Sequence, residues 1–345
     1  PATGACCASD GSCSVQTQAD CSASGGVYQG DDTACNSGVV CDDLGQYDWL
    51  VDDDLLDAPN ADFTSIQQAV DAASDGDVIL VYPGTYTSTS EWVVRFENKS
   101  VTVRSAFGSD VTFIDAEDER AFTLFGGSSS SELIGFTFIG GNVNNAPYIP
   151  VNLAPSLIVF HSNGSSSISD SVISGVTNPE GNTPGYALGS DRTAIVYFQS
   201  GSPSSMSRCE FKDSFLYEGY FVWTSYQDSF LIDCVFENVH SEIGGNDGTP
   251  LGAMFYGVSS ALKIESSQLI NCSAPSFAQG QVQISSAGLF QNVLTDGNWF
   301  TGSVELVENT TYCGNVPPFP LGDLGSGNID CTPDLGACCV SGECL

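Results

Sequence analysis

FTSIQQAVDAASDGDVILVYPGTY, residues 63–86, is the stretch of this 345-residue sequence that decides its fold. In its first half, apolar residues recur at the i, i+3, i+4 and i+7 spacing of a short amphipathic helix; they are Ile66, Ala69, Val70 and Ala73. Thr64 or Ser65 can cap the start of this helix, and Gly76 ends it. The second half predicts a short buried strand over residues 78–82, followed by a turn at Pro83 and Gly84.

This stretch resembles the N-terminal segment of the right-handed parallel β-helix, or pectin-lyase-like, superfamily. There, a short helix reading Ile-Gln-x-Ala-Val-x-x-Ala, followed by Gly-Asp-x-Ile and Pro-Gly-x-Tyr, covers the N-terminal end of the solenoid. The match is specific over these two dozen residues. The resemblance implies an all-β fold: a right-handed parallel β-helix solenoid with an N-terminal capping helix, joined here to small disulfide-rich terminal segments.

Short β-rich segments recur after residue 130 and extend this prediction. Their apolar anchors are separated by 25–38 residues, which suits coils with loops of unequal length; they are Phe138, Ile173, Phe211, Phe236, Ile270 and Phe300. Second strands are predicted between the anchors, over residues 157–160, 194–198, 220–223, 253–256 and 282–284. The competing fold, an antiparallel sandwich, would want tight Asn-Gly or Asp-Gly hairpins between neighbouring strands, and few are placed that way.

Composition divides the chain into four parts. Residues 1–42 form a module with six cysteines, residues 43–62 an acidic linker, residues 63–302 the parallel β-helix, and residues 303–345 an extended tail. The tail ends in LGACCVSGECL, residues 335–345, which repeats TGACCASDGSC, residues 3–13, with one residue deleted. The chain therefore carries a Cys-rich GACC-type module at its N-terminus and a partial copy at its C-terminus.

The cysteines predict a disulfide-bonded, secreted protein. The sequence lacks a CxxC pair, and no His lies near the cysteines, so nothing in it indicates a zinc site. We therefore expect all 14 cysteines to form disulfides: Cys6, Cys7, Cys13, Cys21, Cys35, Cys41, Cys209, Cys234, Cys272, Cys313, Cys331, Cys338, Cys339 and Cys344. Two of these, Cys209 and Cys234, hold the same place in consecutive coils, where a disulfide or a pair of core thiols fits equally. The start at Pro1, in a small-residue context, is typical of a signal-peptidase product. Four sequons add predicted glycosylation at Asn98, Asn163, Asn271 and Asn309.

Charge excludes several classes of partner. With 42 acidic against 8 basic residues and a formal charge of −34, the chain has no basic patch for nucleic acid or for an anionic membrane. No apolar run approaches the roughly 18 residues that span a bilayer. Within the acidic linker, Asp52, Asp53 and Asp54 are weak candidates for a calcium site, because their spacing matches no EF-hand loop; the alternative is a solvated linker. Calcium is the only cofactor that the residues indicate.

The resemblance raises the question of catalysis, because the superfamily includes polysaccharide lyases and hydrolases. A lyase would need an acidic calcium cluster and a nearby Arg or Lys as base. The candidates are Arg192 beside Asp191, and Arg208 near Glu210 and Asp213. The hydrolase pattern is absent, since neither His161 nor His240 has glycines on both sides. Asp170, Asp233 and Glu265 are predicted to align on successive coils, with Arg208 at the same register between them.

We therefore predict a secreted structural protein that assembles with copies of itself, head to tail, into an extracellular filament or coat. No catalytic residue is assigned, and the residues favour a non-enzymatic role. The first alternative is a calcium-dependent polysaccharide lyase or glycoside hydrolase. The second is a glycan-binding adhesive module that uses exposed aromatic side chains as stacking platforms; the candidates are Tyr217, Tyr220, Trp223 and Tyr226.

Overall fold

Parallel strands, stacked coil upon coil, form the body of the protein. A computed structural model describes residues 2–8, 12–24, 26–28, 30–31, 33–35, 46–119, 121–128, 130–143, 156–178, 194–199, 201–225, 228–243, 253–285, 289–291, 294–301, 304–307, 311–313, 329–331, 339–340 and 343–344. Within these residues, one sheet of 27 strands runs through the solenoid, and its strand pairs are parallel. The predicted all-β parallel solenoid is confirmed.

Each coil presents strands on up to four faces, which we number in chain order. Face 1 contains Trp92–Glu97, Ala121–Gly127, Ser156–Ser162, Ala194–Phe198, Tyr220–Ser225, the first half of Ala253–Glu265, the middle of Ser273–Ser285, and Leu294–Thr301. Face 2 contains Trp49–Val51, Val78–Val81, Thr102–Ser105, Glu132–Ile134, Ser167–Ser169, Ser204–Ser207, Ser229–Ile232, the second halves of Ala253–Glu265 and Ser273–Ser285, and Val304–Val307.

Face 3 contains Gly84–Tyr86, Thr112–Asp115, Thr137–Ile139, Val172–Ser174, the starts of Glu210–Glu218 and Val235–Ile243, Gln268–Ile270, Leu289–Gln291, Thr311–Cys313 and Ile329–Cys331. Face 4 is short: Thr177–Asn178 pairs with the end of Glu210–Glu218, which pairs with the end of Val235–Ile243. Because the coils are in register, like side chains stack along the axis.

The core shows this stacking directly. On face 1 the rings of Phe96, Phe125, Phe160 and Phe198 stack with centroids 4.9, 4.7 and 4.6 Å apart. On face 3 Phe211 stacks on Phe236 at 4.5 Å. These spacings match the separation of neighbouring strands, about 4.8 Å, so each coil presents its ring to the next. All six rings are buried.

The fold-deciding stretch forms the elements predicted for it. The helix Ile66–Ala72 buries Ile66, Ala69 and Val70 in the solenoid core, and Val78–Val81 follows as a strand. At the helix C-terminus, the Lys99 ammonium donates to the carbonyls of Asp71 at 3.1 Å and Ala73 at 2.5 Å. A cation there satisfies carbonyls that have no partner within the helix.

Backbone groups at the edges of the first coils form hydrogen bonds with nearby residues. The Gln67 side chain accepts from Arg95 N at 2.7 Å and donates to Arg95 O at 3.3 Å, along the outer edge of strand Trp92–Glu97. Asp62 N donates to Leu50 O at 2.9 Å, and Thr85 N donates to Asp53 at 3.0 Å. These bonds occupy backbone groups that could otherwise pair with another chain.

Three register predictions need correction. Phe138, Ile173, Phe211 and Phe236 do stack in sequence, but the next residues in that column are Leu269, Phe290 and Tyr312, not Ile270 and Phe300. Phe300 pairs with Ala278 on face 1. The strand predicted over residues 282–284 belongs to face 2, opposite residues 262–264. The sequence spacing misleads here because the loops between coils differ in length.

The proposed domain boundaries also shift. Trp49–Val51 lies inside the predicted acidic linker, yet it pairs in parallel with residues 79–81 and forms the first strand of the solenoid. At the other end, Val304–Val307, Thr311–Cys313 and Ile329–Cys331 continue the parallel pairing beyond residue 302. The solenoid is therefore longer at both ends than the sequence pattern indicated.

The terminal segments form small antiparallel sheets. Gly4–Cys7 pairs with Cys13–Gln16 on one side and with Val27–Tyr28 on the other, next to the helix Gln18–Ala23. Disulfides join Cys6 to Cys21 and Cys13 to Cys35, and Cys7 is also disulfide-bonded. The C-terminal copy forms a hairpin of Cys339–Val340 and Glu343–Cys344. Cys41 and Cys338 lie outside the described residues, as do the side chains of Cys313, Cys331, Cys339 and Cys344.

Candidate functional site

The turns that connect face 2 to face 3 stack into a continuous edge, which we call the corner. In the fourth to eighth coils, one residue in each turn adopts the left-handed conformation, with φ between 51° and 81°: Gly135, Asp170, Arg208, Asp233 and Ser266. Their amides bond across coils; Asp170 N, for example, donates to Ser207 O at 3.1 Å and Arg208 N to Ile232 O at 2.9 Å. The corner therefore repeats one turn geometry and presents a different side chain from each coil.

After Asp170, Arg208, Asp233 and Ser266, the next residue lines the inside of the corner, and its side chain bonds the carbonyl two residues back. Ser171 and Ser267 do this with hydroxyls, at 2.7 and 2.9 Å. Cys209 and Cys234 do it with thiols, at 3.4 and 3.5 Å. The two cysteines thus replace serine in a column of turn-bonding side chains.

The disulfides predicted for Cys209, Cys234 and Cys272 are absent, because all three are free, buried thiols. A second column of turns contains the left-handed Asp213, Asn238 and Asn271. Cys272 follows Asn271 in this second turn column and bonds the Ile270 carbonyl at 3.3 Å. Burial raises the pKa of Cys272 to about 12, and a hydrogen bond with Cys234 together with burial raises the pKa of Cys209. Each sulfur is held by a separate carbonyl, so the stacked position serves the turn and does not require a bond between coils.

On the outside of the corner, Asp170 and Arg208 form a bidentate ion pair, with Nε–Oδ1 at 2.6 Å and Nη2–Oδ2 at 2.7 Å. The guanidinium lowers the pKa of Asp170, and the carboxylate raises the pKa of Arg208. A guanidinium held in this way cannot act as a base. The predicted alignment of Asp170, Arg208 and Asp233 is correct, but Ser266 takes the next place and Glu265 pairs with Ile232 one residue earlier.

The other charges near Arg208 do not join this pair. Lys212 Nζ bonds Glu210 at 3.2 Å, and Asp213 accepts from Asn238 at 3.1 Å in the second turn column. Arg192 and Asp191 lie outside the described residues. Of the lyase candidates that the structure describes, none provides an unpaired base beside a carboxylate cluster.

An open groove of about 480 Å³ lies on the corner, on the side of the lower-numbered coils. It is lined by Arg104, residues 105–110, Ile134, Gly135 and Asp170. Arg104 and the carboxylates of Asp110 and Asp170 give it both signs of charge, while the half-buried ring of Phe107 adds an apolar surface. Sequence reasoning missed this groove, because its walls come from three successive coils.

The loop that forms the groove wall is held rigidly. Ser105 Oγ accepts from the amides of Phe107 and Gly108, at 3.2 and 2.9 Å. It also lies 2.7 Å from the Thr112 hydroxyl. Thr137 Oγ1 donates to Ser109 O at 2.7 Å from the next coil. A wall fixed by four hydrogen bonds presents its groups to a ligand without first having to order.

The acidic trio lies at the N-terminal end of the same corner. One carboxylate oxygen each from Asp52, Asp53 and Asp54 lies within 4.8 Å of the others. Desolvation by burial raises the pKa of Asp52 and of Asp57, and neighbouring carboxylates raise both further. A small apolar cluster of Ala58, Leu80, Tyr82 and Ala106, with Phe107 packed against it, joins this loop to the groove wall.

A second cavity, of about 530 Å³, lies beside the helix Ile66–Ala72. Its cations are already committed: Arg95 pairs with Glu97, and Lys99 bonds the carbonyls at the end of the helix. This cavity is therefore explained by the packing of the helix against the first coils.

The remaining candidates lie away from the corner. His240 is half-buried on face 4, bonded to Ser273 at 2.9 Å, and burial lowers its pKa. Tyr220 and Trp223 were predicted as exposed platforms, but they are 1% and 7% exposed, because they pack in a ring cluster with Tyr256. Tyr217 is half-buried, and Tyr226 lies outside the described residues.

Three sequons lie on described, exposed residues. Asn98 and Asn271 occupy left-handed turn positions, for which asparagine is favoured, and Asn163 is exposed as well. Asn309 lies outside the described residues. Glycosylation of these residues stays a prediction.

In the described residues, no helix is long and apolar enough to cross a membrane.

Comparisons with known proteins give only distant similarities. No family model matches the chain, and no curated protein matches it. Among solved structures, the chain is similar to the PL6 family alginate lyase AlyGC, at 15% identity and a TM-score of 0.29, over 76% of this chain and 38% of that one. It is also similar to the catalytic unit of a GH87 α-1,3-glucanase from Streptomyces thermodiastaticus strain HF3-3, at 14% identity and a TM-score of 0.23, over 78% of this chain and 65% of that one. The chain thus spans less than two thirds of the length of these proteins.

Proposed function

We propose that this chain is a secreted carbohydrate-active protein that holds a polysaccharide in the corner groove. The observation that carries the proposal is the groove itself, about 480 Å³ in volume, with Arg104, Asp110, Asp170 and Phe107 on a rigid wall. Its volume lies in the range of about 300–1,000 Å³ that ligand sites occupy. Carboxylates and a guanidinium bind sugar hydroxyls, and an aromatic ring packs on the apolar face of a sugar.

The repeated turns of the corner suit a polymer. Successive coils repeat every ~4.8 Å along the axis, so the wall continues past the groove toward Arg208 and Asp233. A chain of sugars lying along the corner would contact several coils at once. The Cys6–Cys21 and Cys13–Cys35 disulfides of the N-terminal module support an oxidising, extracellular setting.

The charge of the chain shapes which polysaccharide it holds. At −34, the protein repels a polyanion in low salt, so a uronate polymer would need Arg104 or a cation near its carboxylates. Neutral polysaccharides carry no such cost. A panel containing both types separates the two cases by their dependence on salt.

The test is binding of the full chain to immobilised uronate and neutral polysaccharides, followed by analysis for cleaved products. Arg104→Ala and Phe107→Ala should each weaken binding about tenfold or more, whereas Lys263→Ala, a cation removed elsewhere on face 2 and paired with Asp228, should not. Unsaturated or shortened products would establish catalysis in addition to binding. Unchanged binding by both groove variants would refute the groove as the site.

Self-assembly into a filament or coat is the second candidate function, and one observation favours it. The C-terminal hairpin pairs Cys339 with Cys344, just as the N-terminal module pairs Cys7 with Cys13. The N-terminal module adds a third strand, Val27–Tyr28, beside its first. A hairpin of the same design on a neighbouring copy is a ready partner for strand addition.

Assembly would use these terminal modules, because the N-terminal edges of the solenoid are already bonded by Gln67, Asp53 and residues 62–63. Negative-stain microscopy and non-reducing electrophoresis of the purified chain test it. Filaments or disulfide-linked ladders would support the assembly, and discrete monomers with and without reductant would refute it.

A further inference from the structure

The carboxylate of Asp52 is buried in an arrangement that satisfies only one of its two oxygens. Its side chain is fully buried, with an exposed fraction of 0%. Oδ2 accepts from Ala58 N at 2.6 Å, but Oδ1 is enclosed and has no hydrogen-bond partner. Buried carboxylate oxygens are normally bonded, so this orphaned oxygen calls for a ligand.

The two following aspartates are held in the same way. Asp53 Oδ2 accepts from Thr85 N at 3.0 Å, and Asp54 Oδ1 accepts from Leu56 N at 2.9 Å. In each carboxylate a backbone amide therefore fixes one oxygen and sets the direction of the other. One oxygen from each of the three aspartates comes within 4.8 Å of the other two.

We propose that Asp52, Asp53 and Asp54 bind one calcium ion, with one oxygen from each carboxylate and with the buried Oδ1 of Asp52 as the innermost ligand. Calcium takes oxygen ligands at about 2.3–2.6 Å, so two ligands on opposite sides of the ion lie roughly 5 Å apart. The separations within the trio fit inside that limit. The remaining positions of a six- to eight-coordinate ion are open to water, because Asp54 is exposed.

The donor set selects the class of metal. It contains carboxylate oxygens only, without the His or Cys ligands that zinc prefers. Three consecutive residues on a loop also tolerate the variable geometry of calcium better than the strict octahedron of magnesium. Burial of the Asp52 carboxylate and the closeness of the three acids are the conditions that a bound cation relieves.

The ion would tie the loop to the first coils of the corner. Asp53 reaches strand Gly84–Tyr86 through Thr85 N, and the carboxylate packs against Gly84, where an added Cβ would lie 2.3 Å from Asp53 Oδ1. Ala58, at the end of the loop, packs with Tyr82 and Ala106 beside the groove wall. The calcium site does not depend on the proposed polysaccharide binding, so the experiment that tests it contains no polysaccharide.

The test is calorimetric titration of the full, chelator-treated chain with CaCl₂, alongside thermal unfolding with and without EDTA. The wild type should bind one ion per chain, and EDTA should lower its Tm. Asp54→Asn, an exposed ligand whose loss leaves the core intact, should weaken binding about tenfold or more. Asp52→Asn should abolish it, and Glu132→Gln, an exposed acid on face 2, should bind as the wild type does.

Two outcomes would overturn the site. One is a wild-type chain with no saturable binding and a Tm that EDTA leaves unchanged. The other is an Asp54→Asn chain that binds calcium as tightly as the wild type. The same titration with MgCl₂ tests the selectivity of the site, and tighter binding of magnesium than of calcium would refute the assignment of the ion.

Discussion

Truncating Phe160 to alanine should destabilise the solenoid more than truncating Phe198, because Phe160 stacks between two rings and Phe198 against one. The Phe160 centroid lies 4.7 Å from that of Phe125 and 4.6 Å from that of Phe198. Beyond Phe198, the stack continues with Thr224, which has no ring. Both phenylalanines are fully buried, so the burial term is the same for each.

The magnitude follows from these contacts. Removing a buried phenylalanine side chain costs about 3–5 kcal/mol. A stacked ring pair adds about 0.5–1.5 kcal/mol beyond the buried area. Phe160→Ala loses two such pairs and Phe198→Ala one, so we expect the first variant to be less stable by about 0.5–1.5 kcal/mol.

Urea unfolding of the full chain, followed by far-UV circular dichroism and by intrinsic fluorescence, measures this difference. Coincident transitions by the two probes are needed for a free energy, because long solenoids can unfold in parts. Phe215→Ala is the matched control, since that ring is 39% exposed and its loss should cost roughly 0.5 kcal/mol or less. A Phe198→Ala chain as unstable as the Phe160→Ala chain would refute the ring stack as the cause.

Because Arg208 lowers the pKa of Asp170, their ion pair should stabilise the fold above pH 3.8 and lose that contribution as the pH falls through the lowered value. Asp170→Asn should cost less than about 1 kcal/mol at pH 7, since both groups are partly exposed, and a cost that does not shrink on acidification would contradict this cause. The thiols of Cys209, Cys234 and Cys272 should resist a thiol reagent until the chain unfolds, and Cys209→Ser should cost under about 1 kcal/mol by denaturation, because serine makes the same bond elsewhere in the corner. Gly84→Ala should displace Asp53 and weaken calcium binding about tenfold or more in calorimetry, whereas Gly126→Ala, with ordinary contacts of 3.5 Å and beyond, should leave it unchanged.

Much of the fold was accessible from local sequence. The helical spacing at residues 66–73 and the strand after it are local patterns, and the structure has both elements nearly where they were predicted. The stack of Phe138, Ile173, Phe211 and Phe236 followed from similar segments at similar intervals. The next residue of the stack could not be predicted, because Leu269 and Ile270 are adjacent and both apolar. A shift of one residue in register turns a side chain to the opposite face of the strand.

The candidate site was harder to predict from the sequence than the fold was. The acidic trio could be named because its members are consecutive, but the buried, unpartnered Oδ1 of Asp52 depends on Ala58 and on the coil packed beside it. The groove could not be named, because Arg104, Asp110 and Asp170 are separated by loops of unequal length. Cys209 and Cys234 were predicted to align, but the carbonyls that hold their thiols come from the turn geometry.

The sequence by itself indicated the parallel solenoid, through the family resemblance of residues 63–86 and the recurring segments after them. It also determined the starting helix and the excess of acidic side chains, because these depend on local spacing and composition. Only the tertiary structure decided which side chains meet at the corner, which cysteines stay free and which aromatic rings are buried. The physical reason is that coils stack through hydrogen bonds between residues 18–38 positions apart. A loop longer by one residue changes every neighbour across that distance while leaving the local pattern unchanged.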